Sequence, residues 1–238
     1  MPINLQENSK KLVQGTFLIY GESGSGKTRL AATFERPLFF SDSTEKGWVT
    51  IEGMDRKHFY DPEIYPVVEP MVSPEDVNKL LVKYTKDIQA GKFKTLVFDS
   101  LSFYGDSYLS ILSRKGEFKD GRQMYNVFYN HIRYIMIEMH KLPCNVVWIC
   151  LAKEPTKPGE DGGVLLPGKS GVTAPARCSY WLYTRVVQDD PNEDPIYEVH
   201  TKKFGTWPAR VRGAPEDMPS VLKDNSFRGF LDIIGKTI

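Results

Sequence analysis

The eight residues Gly21-Glu22-Ser23-Gly24-Ser25-Gly26-Lys27-Thr28 constrain this chain more than any other feature. They fit the pattern G-x-x-x-x-G-K-[ST]. An apolar run, Thr16-Phe17-Leu18-Ile19-Tyr20, stands directly before them, and a helical pattern, Lys27 to Phe34, follows. Strand, glycine turn and helix in that order build a cradle for phosphate. The glycines let backbone N–H groups turn inward, Lys27 reaches the β and γ phosphates, and the Thr28 hydroxyl suits Mg²⁺.

A chain that opens on a buried strand and a helix is expected to repeat the unit, and this one does. Leu38-Phe39-Phe40-Ser41, Thr95-Leu96-Val97-Phe98-Asp99 and Asn145-Val146-Val147-Trp148-Ile149-Cys150-Leu151 read as further buried strands. Between them, Ser73 caps a helix with Pro74 at its first position. Val77, Leu80, Leu81, Tyr84 and Ile88 form its apolar face, and Gly91 stops it. Arg122 to Leu142 reads as a long helix, with Met124, Phe128, His131, Ile135, Met139 and Leu142 on one face. Continuous apolar strands alternating with helices predict an α/β fold whose mainly parallel central sheet is covered on both faces.

Other stretches are less regular. Trp48 to Pro74 reads as loop with one short strand at Ile64–Val68, and Lys153 to Pro175 as a long mobile loop rich in proline and glycine. Ser179–Val187 and Ile196–Lys203 form a C-terminal β-hairpin through the polar connection Gln188–Pro195. Ser226–Ile234 reads as a short closing helix. No linker isolates a second unit. The 238 residues are expected to form one domain, with a core over about 12–213 and a helical extension over 214–238.

Asp99 ends its strand where ligands bind in open α/β sheets, and there it suits Mg²⁺. Asp42-Ser43-Thr44-Glu45 follows the second strand, and LFFS lies between the phosphate loop and Asp99 in sequence. This layout resembles the RecA-like P-loop ATPases, as do the Asp-Ser reading at Asp99-Ser100, the long loop after the fourth strand and the terminal hairpin. The resemblance spans roughly residues 12–213. It implies an ATP- and Mg²⁺-dependent hydrolase in which a carboxylate past the second strand activates water. Glu45 is the first candidate for that base and Asp42 the second. The compactness of the core is similar to that of the phage RecA-like ATPases of single-strand annealing and recombination. One departure is Leu151-Ala152-Lys153-Glu154, which stands where RecA-type proteins place Gln or Asn as a nucleotide sensor. Lys153 is the candidate substitute.

The resemblance also implies single-stranded DNA as partner, self-association into a ring or filament, and a possible single-strand-binding protein. The chain carries 31 basic and 30 acidic residues, so a net charge of +1 gives no general affinity for nucleic acid. Binding must come from a local patch. Two segments qualify. Lys153–Arg177 carries Lys153, Lys169 and Arg177. Thr201–Gly213 carries Lys202, Lys203, Arg210 and Arg212 with no acid, and Phe204 and Trp207 interleaved. Cations for phosphates and aromatics for bases suit single strands. Alternatively, one cation reaches a neighbouring subunit's γ-phosphate.

Two other functions fit the same residues. A nucleotide or small-molecule kinase would use Arg177, Arg210 or Arg212 in a lid. A nucleotide-switched DNA-binding module would turn over negligibly. The three cysteines have no CxxC spacing and read as reduced buried thiols. Met1 to Gln14 is polar, so no signal peptide and a cytoplasmic location are expected, and no apolar run approaches a membrane span.

Overall fold

The computed structural model describes residues 14–71, 73–118, 120–188, 190 and 192–235. The polar N-terminus through Val13, Asp189 and Pro191 of the hairpin connection, and the last three residues of the C-terminal extension lie outside the described residues.

The first strand, Thr16–Gly21 (β1), runs between two parallel neighbours, Asn145–Lys153 (β5) and Tyr180–Val187 (β7). Beyond β5 come Thr95–Asp99 (β4), Pro37–Asp42 (β2) and the edge strand Val67–Met71 (β3), all parallel. Ile196–His200 (β8) closes the other side antiparallel to β7, giving the order β3-β2-β4-β5-β1-β7-β8. Two short strands, Gly163–Val164 (β6) and Arg210–Val211 (β9), add to β5 and β7.

The strands read as unbroken apolar runs because both faces are covered. Alternate residues divide between two cores. Leu18, Tyr20, Phe40, Phe98 and Trp148 face the helices Pro74–Gln89 (α3), Leu101–Lys115 (α4) and Gly121–His140 (α5). Phe17, Ile19, Phe39, Val97 and Ile149 face Lys27–Ala32 (α1), Val49–Glu52 (α2) and Phe227–Ile234 (α7). In the second core the Phe34 and Phe227 rings stack with centroids 4.1 Å apart, which fixes the C-terminal helix against the phosphate-loop helix.

Several elements differ from the sequence reading. The strand expected at Ile64–Val68 lies at Val67–Met71, and α2 and a 3₁₀ turn at Arg56–His58 precede it. Pro70 is tolerated there because β3 is an edge strand. The long helix runs Gly121–His140 rather than Arg122–Leu142, capped by Asp120, whose Oδ1 accepts from the Gln123 N–H. Helix α4 was not expected, because Ser102, Gly105, Asp106, Ser107 and Ser110 interrupt its apolar pattern. Packing of Leu101, Tyr104 and Leu112 overrides that composition. The expected long loop at 153–175 is partly ordered. Its strand β6 pairs Val164 with Ala152, and a short helix, Ser170–Ala176 (α6), closes it. Val164 and Leu166 are its buried anchors.

Cys144, Cys150 and Cys178 are buried free thiols, and burial pushes Cys144 and Cys178 up to about 12. Among the described residues, no helix is long and apolar enough to cross a membrane.

Candidate functional site: a phosphate loop beside paired carboxylates

The phosphate loop joins the end of β1 to α1. Gly24 and Gly26 have φ of +78° and +86°, the left-handed region that glycine enters without a Cβ clash. Gly21 is required for a different reason. A Cβ there would lie 2.1 Å from the Thr184 carbonyl oxygen on β7. Thr184 also meets the loop through its side chain, 2.8 Å from the buried Ser25 hydroxyl. Glu22, Ser23 and Gly24 are exposed at the loop's crest.

Lys27 is buried, and its ammonium donates to the loop's own carbonyls, Gly21 O at 3.2 Å and Glu22 O at 2.5 Å. Burial lowers its pKa, while the charges of Glu45 and Asp99 act to raise it. The ammonium therefore sits in the field of both carboxylates.

The Thr28 hydroxyl donates to Asp99 Oδ2 at 2.9 Å. The other oxygen, Asp99 Oδ1, is buried with no hydrogen-bond partner. Burial, then the nearby Glu45 charge, pushes the Asp99 carboxyl up to about 7. Gly47 lies over this pair: a Cβ on it would come within 2.9 Å of Asp99 Oδ2 and 3.5 Å of Thr28 Oγ1. A carboxylate oxygen left without a partner, a hydroxyl beside it and a space kept open by a missing Cβ fit a hard divalent cation with oxygen ligands.

The two candidate bases differ sharply. Asp42 Oδ1 is occupied by its own turn, accepting from the Thr44 N–H at 2.8 Å and from the Thr44 hydroxyl. Glu45 is half-buried and its Oε2 has no partner. Burial raises the Glu45 pKa; Ser100 and Lys27 counteract this. Glu45, Lys27 and Asp99 thus meet at one rim of the sheet, whereas Asp42 serves the loop that delivers Glu45. Sequence reasoning missed Gly47 and Thr184, and saw Ser100 only as part of the Asp-Ser reading at Asp99-Ser100.

The basic segments are built differently from their sequence. Thr201–Gly213 holds no acid, but Lys203 pairs with Asp161 of the 153–163 loop at 2.6 Å. Arg210 stacks on Trp181 at 4.2 Å and donates to Cys178 O, and Arg212 donates to Ala176 O. Trp207 stacks on Tyr183, with centroids 5.1 Å apart, and covers Gly162. Phe204 is exposed beneath the Arg185 guanidinium. Lys153, Lys169 and Lys202 are exposed, and Arg177 is half-buried at the end of α6. His131 and His140 are structural. Burial lowers His131 and His140 to about 4, with partners Tyr104 and the Trp148 indole N–H. Among the described residues no cluster of His, Cys, Asp and Glu could hold a metal on its own.

A family model described as an AAA domain matches residues 14–175, which take in the phosphate loop, Glu45 and Asp99. The chain belongs to the AAA domain family. Its core is a P-loop α/β sheet, with the phosphate loop at the end of β1 and Asp99 at the end of β4. LFFS lies between the phosphate loop and Asp99 in sequence, but in the sheet the strand between them is β5. Among solved structures, the chain is similar to a KaiC-like protein from the hyperthermophilic archaeon Pyrococcus horikoshii. Identity is 16%, covering 79% of this chain and 77% of that one, with a TM-score of 0.45. No curated protein sequence matches it.

Proposed function

We propose that this AAA domain protein is a Mg²⁺-dependent ATPase that acts on single-stranded DNA in annealing or recombination, and assembles head to tail. The observation that carries the ATPase reading is the meeting of Lys27, Thr28, Asp99 and Glu45 at one rim of the sheet. The loop amides and Lys27 bind the triphosphate. Thr28 and Asp99 would hold Mg²⁺, which neutralises charge on the β and γ oxygens when bound. Glu45, with an oxygen free of other partners, orients and deprotonates the attacking water. Lys27 must leave the carbonyls of Gly21 and Glu22 to reach the phosphates.

The kinase alternative would need a base that receives an acceptor hydroxyl and arginines aimed at the phosphates. Arg210 and Arg212 instead hold the carbonyls of Cys178 and Ala176. The DNA reading is supported by exposed Lys202, beside exposed Phe204, and by Lys153 and Lys169 on the neighbouring loop. Exposed Arg212 is better placed than stacked Arg210 to act on a neighbouring subunit.

The test is ADP formation from MgATP, with and without single-stranded DNA, by the wild type and Lys27→Ala. Hydrolysis that DNA stimulates and Lys27→Ala abolishes is expected. Native turnover in Lys27→Ala would refute the phosphate-loop assignment. Turnover indifferent to DNA would leave the ATPase and remove its proposed partner.

A further inference from the structure

The two ends of β7 carry opposite charge. Arg177, Arg210 and Arg212 gather at its start. Arg177 closes α6, Arg210 lies opposite Trp181 in the β7–β9 pair, and the Arg212 N–H donates to Ser179 O at 3.2 Å. Beyond the other end of β7 runs the connection 188–195, which has four carboxylates and no cation. We propose that the arginine foot of one copy docks on the acidic β7–β8 turn of the next copy of this chain. The inference rests on the head-to-tail reading above and names the two surfaces that carry it.

Three observations support the docking. The first is distance. β7 has eight residues, so its charged ends lie roughly 25 Å apart at the rise of an extended strand. Charges so far apart cannot neutralise each other within one copy. Two different, complementary surfaces on one chain join successive copies head to tail.

The second is that both sets of charge are held in place and left uncompensated. Arg212 donates to Ala176 O at 3.2 Å and Arg210 to Cys178 O at 3.4 Å. Arg210 also stacks on Trp181, whose indole N–H donates to Pro175 O. These partners are neutral, so the arginines keep their full charge. Among the described residues no carboxylate pairs with Arg177, Arg210 or Arg212. A guanidinium fork already fixed loses little freedom when it meets a carboxylate. At the other end, Asp190 Oδ1 accepts from the Asn192 N–H at 2.9 Å, and the Gln188 side-chain amide donates to Glu193 O at 2.9 Å. Asp190 thus shapes the turn, while Glu193 and Asp194 stand exposed on it.

The third is apolar surface beside the acidic turn. Val186, Ile196 and Tyr197 are all exposed there, Ile196 by 62%. Val186 faces Tyr197 and Val187 faces Ile196 in the β7–β8 register, so these residues form one patch. An apolar patch with a charged rim is the anatomy of a protein–protein interface. Exposed ion pairs contribute little affinity alone. Here the apolar patch supplies affinity, and the charges select the orientation.

The experiment measures the mass of the full chain with MgATP by analytical ultracentrifugation. It compares the wild type, a foot variant (Arg177→Glu with Arg212→Glu), a turn variant (Glu193→Lys with Asp194→Lys) and an equimolar mixture of the two variants. The wild type should assemble, and less so at high salt. Each variant alone sets like charges against each other and should raise the dissociation constant of assembly by about tenfold or more. The mixture should regain wild-type assembly, because every foot again meets a turn of opposite sign. That recovery also shows that both variants are folded. Variants that assemble like the wild type would overturn the docking and leave the head-to-tail reading to other surfaces. A mixture no better assembled than its parts would overturn it too. A wild type that stays monomeric with MgATP, and with single-stranded DNA added, would remove the assembly reading and this inference together.

Discussion

Thr28 Oγ1 donates to Asp99 Oδ2 across 2.9 Å, joining the last residue of the phosphate loop to the last residue of β4. The two residues are remote in sequence, and the sheet brings them together by placing β5 alone between their strands. The bond leaves Asp99 Oδ1 buried and unpartnered. A folded protein rarely leaves such an oxygen without a partner, and the carboxyl responds by holding its proton to about pH 7.

That proton sets a pH dependence. Asp99 binds it in the folded state up to about 7, and the unfolded carboxyl releases it near 3.8. The folded state therefore binds more protons between these values, and this group subtracts stability as pH rises through the window. Asp99→Asn cannot titrate. Without Mg²⁺, its melting temperature relative to wild type should climb from pH 4 to pH 7 and stay level above. A difference that is flat with pH would mean that the Asp99 carboxyl is ionised throughout.

Gly47 keeps the cation space open. Gly47→Ala would place a methyl 2.9 Å from Asp99 Oδ2, closer than a Cβ tolerates, so the carboxylate must shift. Its Mg²⁺ requirement for hydrolysis should rise by roughly tenfold, as when a group supporting a metal ligand is changed. Circular dichroism should report a native fold. A Mg²⁺ titration indistinguishable from wild type would place the cation elsewhere.

Thr184 positions the phosphate loop without touching a phosphate. Its hydroxyl meets Ser25 Oγ at 2.8 Å and donates to Tyr20 O at 3.3 Å. Thr184→Val keeps the shape and strands the Ser25 hydroxyl, costing about 1–3 kcal/mol of stability. Weaker tripolyphosphate binding should accompany the loss, and Thr184→Ser should restore both. Loss of stability alone, with phosphate affinity intact, would make Thr184 purely structural.

The two adjacent lysines of the basic segment should part company. Lys202 is exposed, whereas Lys203 is held by Asp161. Lys202→Ala should lower the slope of log affinity for single-stranded DNA against log salt by about 0.7, one phosphate contact. Lys203→Ala should instead loosen the 153–163 loop, seen as faster hydrogen exchange at Gly162. Equal salt slopes in Lys202→Ala and wild type would argue against DNA on this face.

What could be read from residues alone follows from locality. The phosphate loop, the buried strands and the Ser73–Pro74 helix start are each written within a short stretch of neighbouring residues. Helix α4 escaped because its buried side is only a few residues wide and its serines favour caps over helix interiors. The loop at 153–175 looked free because its anchors, Val164 against β5 and Gly162 under Trp207, come from tertiary packing. The basic segment looked acid-free for the same reason: Asp161 lies far from Lys203 along the chain. The resemblance ranks Glu45 above Asp42 without a local reason; the turn supplies one, since Thr44 occupies Asp42 Oδ1 and Glu45 Oε2 has no partner.

The distinction between those two carboxylates offers the most direct measurement. Turnover of saturating MgATP should fall by about 10²–10⁴ in Glu45→Gln, the worth of a positioned base, while ATP affinity is kept. Asp42→Asn, which can still accept from the Thr44 N–H, should turn over close to the wild-type rate. Native turnover in Glu45→Gln with a dead Asp42→Asn would contradict the assignment of the base and with it the proposed hydrolytic site.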